Sequence, residues 1–235
     1  MVNARRRHFL LALALLSWGG GAAAQDAGNG LLVSISVPEA TQALRDSLDA
    51  GARKAIAQLG RENGYFGDPK LKIGLPKNFA RAERYLRGLG HGQKVDDLVL
   101  SMNRAAEAAA PQAQGLVLEA ARKMTLEDAK GILAGGDTAV TEYFRKSTEK
   151  ALAEKLMPVI KSVTQESDLV RSYNSLNAVL KKFGVKSELE TVERYVNTKA
   201  LDGIYFRIGE EERGLRANPT KYAGSLIGKV FGSLK

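Results

Sequence analysis

Apolar positions recur along most of this chain at intervals of three and four, the period of a helix with one buried face. The first clear run is Val37, Ala40, Leu44, Leu48, Ala52, Ala55, Ile56 and Leu59. Ser36 precedes Glu39 by three residues with Pro38 between them, the pattern of a capping box with proline in the first turn, and Gly60 closes the run. A second run, Leu75, Phe79, Ala82, Leu86 and Leu89, predicts a helix whose other side carries Lys77, Arg81 and Arg84, with Arg87 close by. In a third, over 95–110, Val95, Leu98, Val99, Met102, Ala105, Ala106 and Ala109 face inward. Arg104 stands near that stripe, where partial burial requires a carboxylate partner. Pro111 begins a helix to 123, and Thr125 with Asp128 caps a short one that ends near Ala134.

Gly135-Gly136 and Asp137 then form a tight corner, and the helix beyond it brings Tyr143, Phe144 and Arg145 together. That helix is expected to reach Met157 and to be interrupted or kinked at Pro158. The stretches 159–163, 169–183 and 188–208 look helical too, with Gly184 and Gly203 as weak points. Asn218-Pro219 caps a last helix with a glycine ridge at 224, 228 and 232. Only 61–76 lacks the period: Gly64, Gly67, Asp68-Pro69, Gly74 and Pro76 make one long irregular connection, within which Lys70-Leu-Lys-Ile73 alternates like a short extended piece. The prediction is an all-α fold, a single-domain bundle of nine or ten helices over 35–232, with no internal repeat.

The first 24 residues stand apart. Arg5-Arg6-Arg7-His8, the apolar run 9–18 and the small residues 19–24 have the order of a secretory signal peptide, and the apolar run is too short to span a bilayer. A flexible leader over 25–34 follows. The expected location is the periplasm, or the medium if the protein is secreted, with no transmembrane segment in the mature chain.

Composition narrows the chemistry. There is no cysteine and there are two histidines, one of them in the expected signal peptide. Thiol chemistry and zinc sites built from several Cys or His ligands are thereby excluded, and no metal or cofactor is expected. The remaining histidine, His91, lies in the loop Gly88-Leu-Gly-His-Gly92, poorly placed to be an oriented base. Catalysis would have to rest on carboxylates, lysine or tyrosine. The formal net charge is +9, and three of the arginines belong to the expected signal peptide. The other cations are spread along the chain rather than interleaved with aromatics in a groove-like run, so nucleic acid is not an expected partner. The basic face with Lys77, Arg81, Arg84 and Arg87 is compatible with contact to an anionic membrane surface.

Several short motifs occur in order: Ser101-Met-Asn-Arg-Ala-Ala-Glu107 before Pro111, Gly135-Gly-Asp-Thr-Ala139 with Tyr143-Phe-Arg145, Tyr195-Val196 with Lys199-Ala-Leu-Asp-Gly203, and Glu211-Glu212 with Arg216. Together they resemble the bacterial exported family catalogued as domain of unknown function 4197, over about 32–232. Val140 replaces a Thr-like residue and Tyr205 the usual apolar Phe of that pattern. The resemblance implies an exported helical protein and no established activity.

The charged and polar members of those motifs, Arg104, Glu107, Asp137, Tyr143, Arg145, Lys199, Asp202, Glu211, Glu212 and Arg216, are the candidates for ligand binding or for buried ion pairs. Arg104 and Glu107, like Lys199 and Asp202, are spaced i,i+3, and Glu212 and Arg216 i,i+4. Four basic residues stand against five acidic ones, a near balance that suits register-fixing ion pairs better than a site for an anionic substrate. Three roles remain: an envelope binding or interaction module for an apolar small molecule, a lipid or a protein partner; a carboxylate-dependent hydrolase or lyase using Glu107, Asp137, Glu211 or Glu212; and a structural envelope protein. The first is preferred, because no spacing matches a catalytic motif.

Overall fold

Periodicity and caps place the helices of the computed structural model, which describes residues 37–182, 184 and 191–218. The chain divides into two compact units between Ser34 and Ile35, and every described residue belongs to the second. The leader, Ser36 of the expected capping box, and the expected last helix with its glycine ridge lie outside the described residues.

Eight α-helices occur among the described residues, with no strand. They are α1 (Val37–Leu59), α2 (Lys77–Leu86), α3 (Gly92–Ala109), α4 (Ala113–Lys123), α5 (Leu126–Ala134), α6 (Ala139–Glu166), α7 (Leu169–Lys182) and α8 (Val192–Ala217). The all-α fold is as expected. A π-helical turn, Arg87–His91, joins α2 to α3, and a 3₁₀ turn, Ala110–Gln112, joins α3 to α4. Gly90 in the π turn has φ of 83°, a conformation that costs glycine little and other residues more.

The interruption expected at Pro158 does not occur. Pro158 lies inside α6 and does not end it. A proline there removes one i→i−4 hydrogen bond, but Leu152, Leu156 and Ile160, all fully buried, hold the helix on both sides of it. Gly203 likewise lies within α8, which runs on through the charged stretch 210–216.

Helices α6 and α8 form the most extensive pair, and α3 and α1 pack against them. Phe144, Leu156 and Ile160 of α6 meet a core that includes Val196 and Ile204 of α8, Leu98 and Met102 of α3, and Leu44 and Leu48 of α1. Ala105, Ala106 and Ala109 of α3 are fully buried, and small side chains at those positions let neighbouring helices approach closely. Phe79 of α2 stacks on Tyr173 of α7 with ring centroids 4.8 Å apart, which attaches α2 to the bundle by one side. The capping box of α5 forms as expected: the Asp128 N–H donates to Thr125 Oγ1 at 3.1 Å and the Thr125 N–H to Asp128 Oδ2 at 2.9 Å. The Thr125 N–H and then its hydroxyl, both donating to Asp128 Oδ2, hold the Asp128 carboxyl below its usual range.

Candidate functional site

The long connection 61–76 has no helix or strand; turns of its own, such as Gly67 N–H to Asn63 and Lys72 N–H to Asp68, satisfy part of its backbone, and other groups need partners from elsewhere. One turn of α3 supplies several of them. Glu107 Oε1 accepts from the N–H groups of Tyr65 and Phe66, each at 3.0 Å. Its Oε2 accepts from Arg104 at 2.6 Å, and Arg104 also reaches Glu62 and the Asn63 side chain. Asn103, fully buried, closes a two-way bond with Ile73: the Ile73 N–H donates to its Oδ1 at 2.8 Å, and its Nδ2 donates to the Ile73 carbonyl at 2.9 Å. The motif Asn103-Arg104-Ala-Ala-Glu107 is thus a clamp that folds the loop.

The loop is anchored at two further points. Tyr65 is fully buried and its hydroxyl donates to the Ala200 carbonyl at 2.7 Å. Its ring lies so close to α8 that a Cβ on Gly203 would come within 2.4 Å of it, which explains glycine inside that helix. Burial, then the charges of Glu107 and Asp202, push the Tyr65 phenol well above its ordinary pKa. Farther along, Arg207 of α8 bridges Asp68 at 2.6 Å and Glu210 at 2.7 Å, and Lys70 meets Glu210 at 3.1 Å.

A second buried carboxylate does a related job at the corner. Glu212 of α8 accepts from the N–H groups of Val140 and Thr141, at 3.0 and 2.9 Å, and from the Thr141 hydroxyl at 2.7 Å. Those N–H groups belong to the first turn of α6 and have no partner within the helix, so Glu212 caps α6 from another element. Arg216 pairs with Glu212 at 3.1 Å.

The clamped loop forms one wall of a cleft of about 530 Å³ whose other walls are α6 and α8. Its floor includes Gly203, Tyr205, Phe206 and Gly209, and the Tyr195 hydroxyl crosses to the Gly74 carbonyl at 3.0 Å. Five cations line it, Lys70, Lys72, Arg145, Lys199 and Arg213, against the single carboxylate of Asp202. Arg145 lies 4.4 Å over the Tyr205 ring and meets Asp202 at 3.4 Å and Glu149 at 3.3 Å. Lys199 shares Asp202 at 3.4 Å. Lys72 lies 4.1 Å over Phe66, and neither Lys72 nor Arg213 has a carboxylate within ion-pair distance among the described residues. Even with Glu149 and Glu210 counted behind the wall, cations are in excess. The Tyr205 phenol is pushed up to about 12, mainly by burial, with its bond to Thr148 pulling the other way, so it is neutral at ordinary pH.

The ten candidate residues therefore do not converge on one place. Arg145, Lys199 and Asp202 line the cleft. Arg104 and Glu107 form the loop clamp, and Glu212 and Arg216 the cap on α6. Glu211 pairs with Lys54 of α1 at 2.6 Å, and Asp137 is exposed at the corner. Tyr143 lines a separate recess with Leu116, Ala120 and Ser147. Lys70, Lys72 and Arg213 were not among the candidates. The alternation of Lys70-Leu71-Lys72-Ile73 is the signal for the first two: Leu71 and Ile73 are buried, which turns both lysines outward. Nothing local marks Arg213.

Residues 34–232 match the family described as Protein of unknown function (DUF4197). The chain belongs to this family. No curated protein and no solved structure matches it. Three of the motifs that carried the resemblance, at 101–107, 195–203 and 211–216, hold the loop, line the cleft or cap the helix that borders it, and the fourth supplies Arg145.

Proposed function

We propose that this member of the family is an exported binding module whose ligand is a small anion with a planar or apolar portion. The observation that carries this reading is the excess of cations around an open cleft with an aromatic floor. Arginine and lysine at the walls would engage carboxylate or phosphate oxygens, and the partly buried Phe206 would receive a flat or apolar part. An apolar ligand held within the bundle has less support. The recess between Leu48, Val140, Ile208 and Leu215 measures about 10 Å³, no more than a water occupies. The near balance of charge in the motifs does not argue against an anion, because the acidic members Glu107, Glu211, Glu212 and Asp137 do not line the cleft.

A carboxylate-dependent hydrolase or lyase has less support too. Both oxygens of Glu107 and of Glu212 are taken by backbone N–H groups, a hydroxyl or arginine, and these groups shape the fold. Export and a place in the envelope rest on the leader sequence.

The test is calorimetric titration of the mature protein with phosphate, glycerol phosphate and citrate, together with native mass spectrometry of gently purified protein. The expected result is one anion per chain, with affinity at least tenfold weaker in Arg145→Gln/Lys199→Gln. Wild-type affinity in that variant, or no anion bound at millimolar concentration, overturns the reading.

A further inference from the structure

We infer that the corner formed by α2 and the π turn is a docking surface for an anionic lipid bilayer. The inference is independent of the cleft. Helix α2 buries Phe79, Ala82 and Leu86 on one side. At about 100° per residue, Lys77, Arg81, Arg84 and Tyr85 all fall within an arc of roughly 100° on the opposite side. All four are exposed.

The charges on this arc differ from the other arginine of the segment. Arg87 is neutralised by Glu83 at 2.8 Å and Asp96 at 2.6 Å. Lys77, Arg81 and Arg84 have no carboxylate within ion-pair distance among the described residues, so three adjacent cations stand uncompensated in solvent. Beside them are the two most exposed large hydrophobic side chains among the described residues, Tyr85 at 73 % and Leu89 at 52 %, about one turn apart. Nothing lies within 4 Å of the position a Cβ would take on Gly88 or Gly90, so the surroundings of the π turn are open.

Cations facing out together with a tyrosine and a leucine are the complement of an anionic headgroup layer over acyl chains. The cations meet lipid phosphates, tyrosine takes the interface, and leucine enters the hydrocarbon edge. A discrete anion would need a concave site, and these residues line neither the cleft nor the recesses on α1, α4 and α6. No helix among the described residues is long and apolar enough to cross a membrane, so the contact is peripheral.

The experiment is co-sedimentation of the mature chain with vesicles of phosphatidylglycerol and phosphatidylcholine, compared with phosphatidylcholine alone. Binding is expected to the anionic vesicles only and to weaken as salt rises. Each surface cation contributes about fivefold, so Arg81→Gln/Arg84→Gln is expected to bind about 25-fold more weakly. Tyr85→Ser/Leu89→Ser is expected to weaken vesicle binding without changing binding to a soluble polyanion such as heparin. The only tryptophan, Trp18, lies in the expected signal peptide, outside the mature chain, so Tyr85→Trp gives a single reporter whose emission is expected to shift to the blue on anionic vesicles. Undiminished vesicle binding by folded Arg81→Gln/Arg84→Gln, or no binding by the parent protein, overturns the inference. So does vesicle binding indifferent to Tyr85→Ser/Leu89→Ser, which would assign the patch to a soluble polyanion.

Discussion

The clamp on α3 and the cleft beside α8 use the same kinds of side chain to opposite ends. In the clamp, Glu107 is 4 % exposed and each of its oxygens has a donor at 3.0 Å or less. In the cleft, Arg145, Lys199 and Asp202 have side chains 40–45 % exposed, and their mutual contacts are 3.4 Å. A buried charge without partners is costly, so the fold saturates Glu107. An exposed cation costs little and can be left over. Saturation marks a structural group, and surplus marks one able to receive a ligand.

The comparison breaks most sharply at Glu107. Replacement by Ala leaves the N–H groups of Tyr65 and Phe66 without their acceptor and Arg104 with Glu62 and Asn63 alone, and is expected to cost about 2–5 kcal/mol in urea denaturation. Gln, which keeps one acceptor oxygen, should cost clearly less. A loss under about 1 kcal/mol for Glu107→Ala would show that the loop is held without it.

Alkaline titration sharpens the same contrast through the tyrosines. Burial favours the neutral phenol of Tyr205, so its folded-state pKa of about 12 lies above the ordinary value of 10.0. Its contribution to stability is complete below pH 10 and is lost as pH rises through 12, at about 1.4 kcal/mol per unit or roughly 3 kcal/mol in all. Tyr65, shifted in the same direction, adds to the loss. Tyr143 is raised too, mainly by burial, so Tyr205→Phe is expected to reduce but not abolish the slope of stability between pH 10 and 12, measured by denaturation at fixed ionic strength. An unchanged slope would contradict the assignment.

Gly203→Ala tests whether the loop sits on α8 as closely as the Tyr65 ring implies. It is expected to cost about 1–3 kcal/mol and to be less than additive with Tyr65→Leu, which removes the obstructing ring. Strict additivity would mean that the two positions do not touch. The smallest effect on stability belongs to the cleft: Arg145→Gln/Lys199→Gln should change it by less than about 1 kcal/mol, because the pairs are exposed. Anion binding alone should suffer.

The legibility of the sequence differed in the same way between the two regions. The periods at Leu44–Leu59 and Val95–Ala109 and the Thr125–Asp128 capping box placed their helices, since helix ends and faces depend on residues within a few positions of one another. Arg104 was legible as a residue in need of a carboxylate, because its position near an apolar stripe carries that demand. Its second partners were not: Glu62 and Asn63 are more than 40 positions away. Pro158 looked like an interruption and Gly203 like a weak point within its helix, and packing around each carries the helix through. The charge balance of the motifs hid the cationic cleft, because balance along a chain says nothing about which charges face the same space.

The sequence by itself therefore determined the helical class, the faces and most ends of the helices, the lack of cysteine chemistry and the family, all of which depend on local pattern and composition. Only the tertiary structure decided that Asn103 and Glu107 fold a loop about 30 to 40 residues earlier, that Glu212 caps a helix about 70 residues earlier, and that Lys70, Lys72, Arg145, Lys199 and Arg213 share one cleft. The physical reason is that hydrogen bonds and electrostatic fields act over ångströms in space, whatever the separation along the chain.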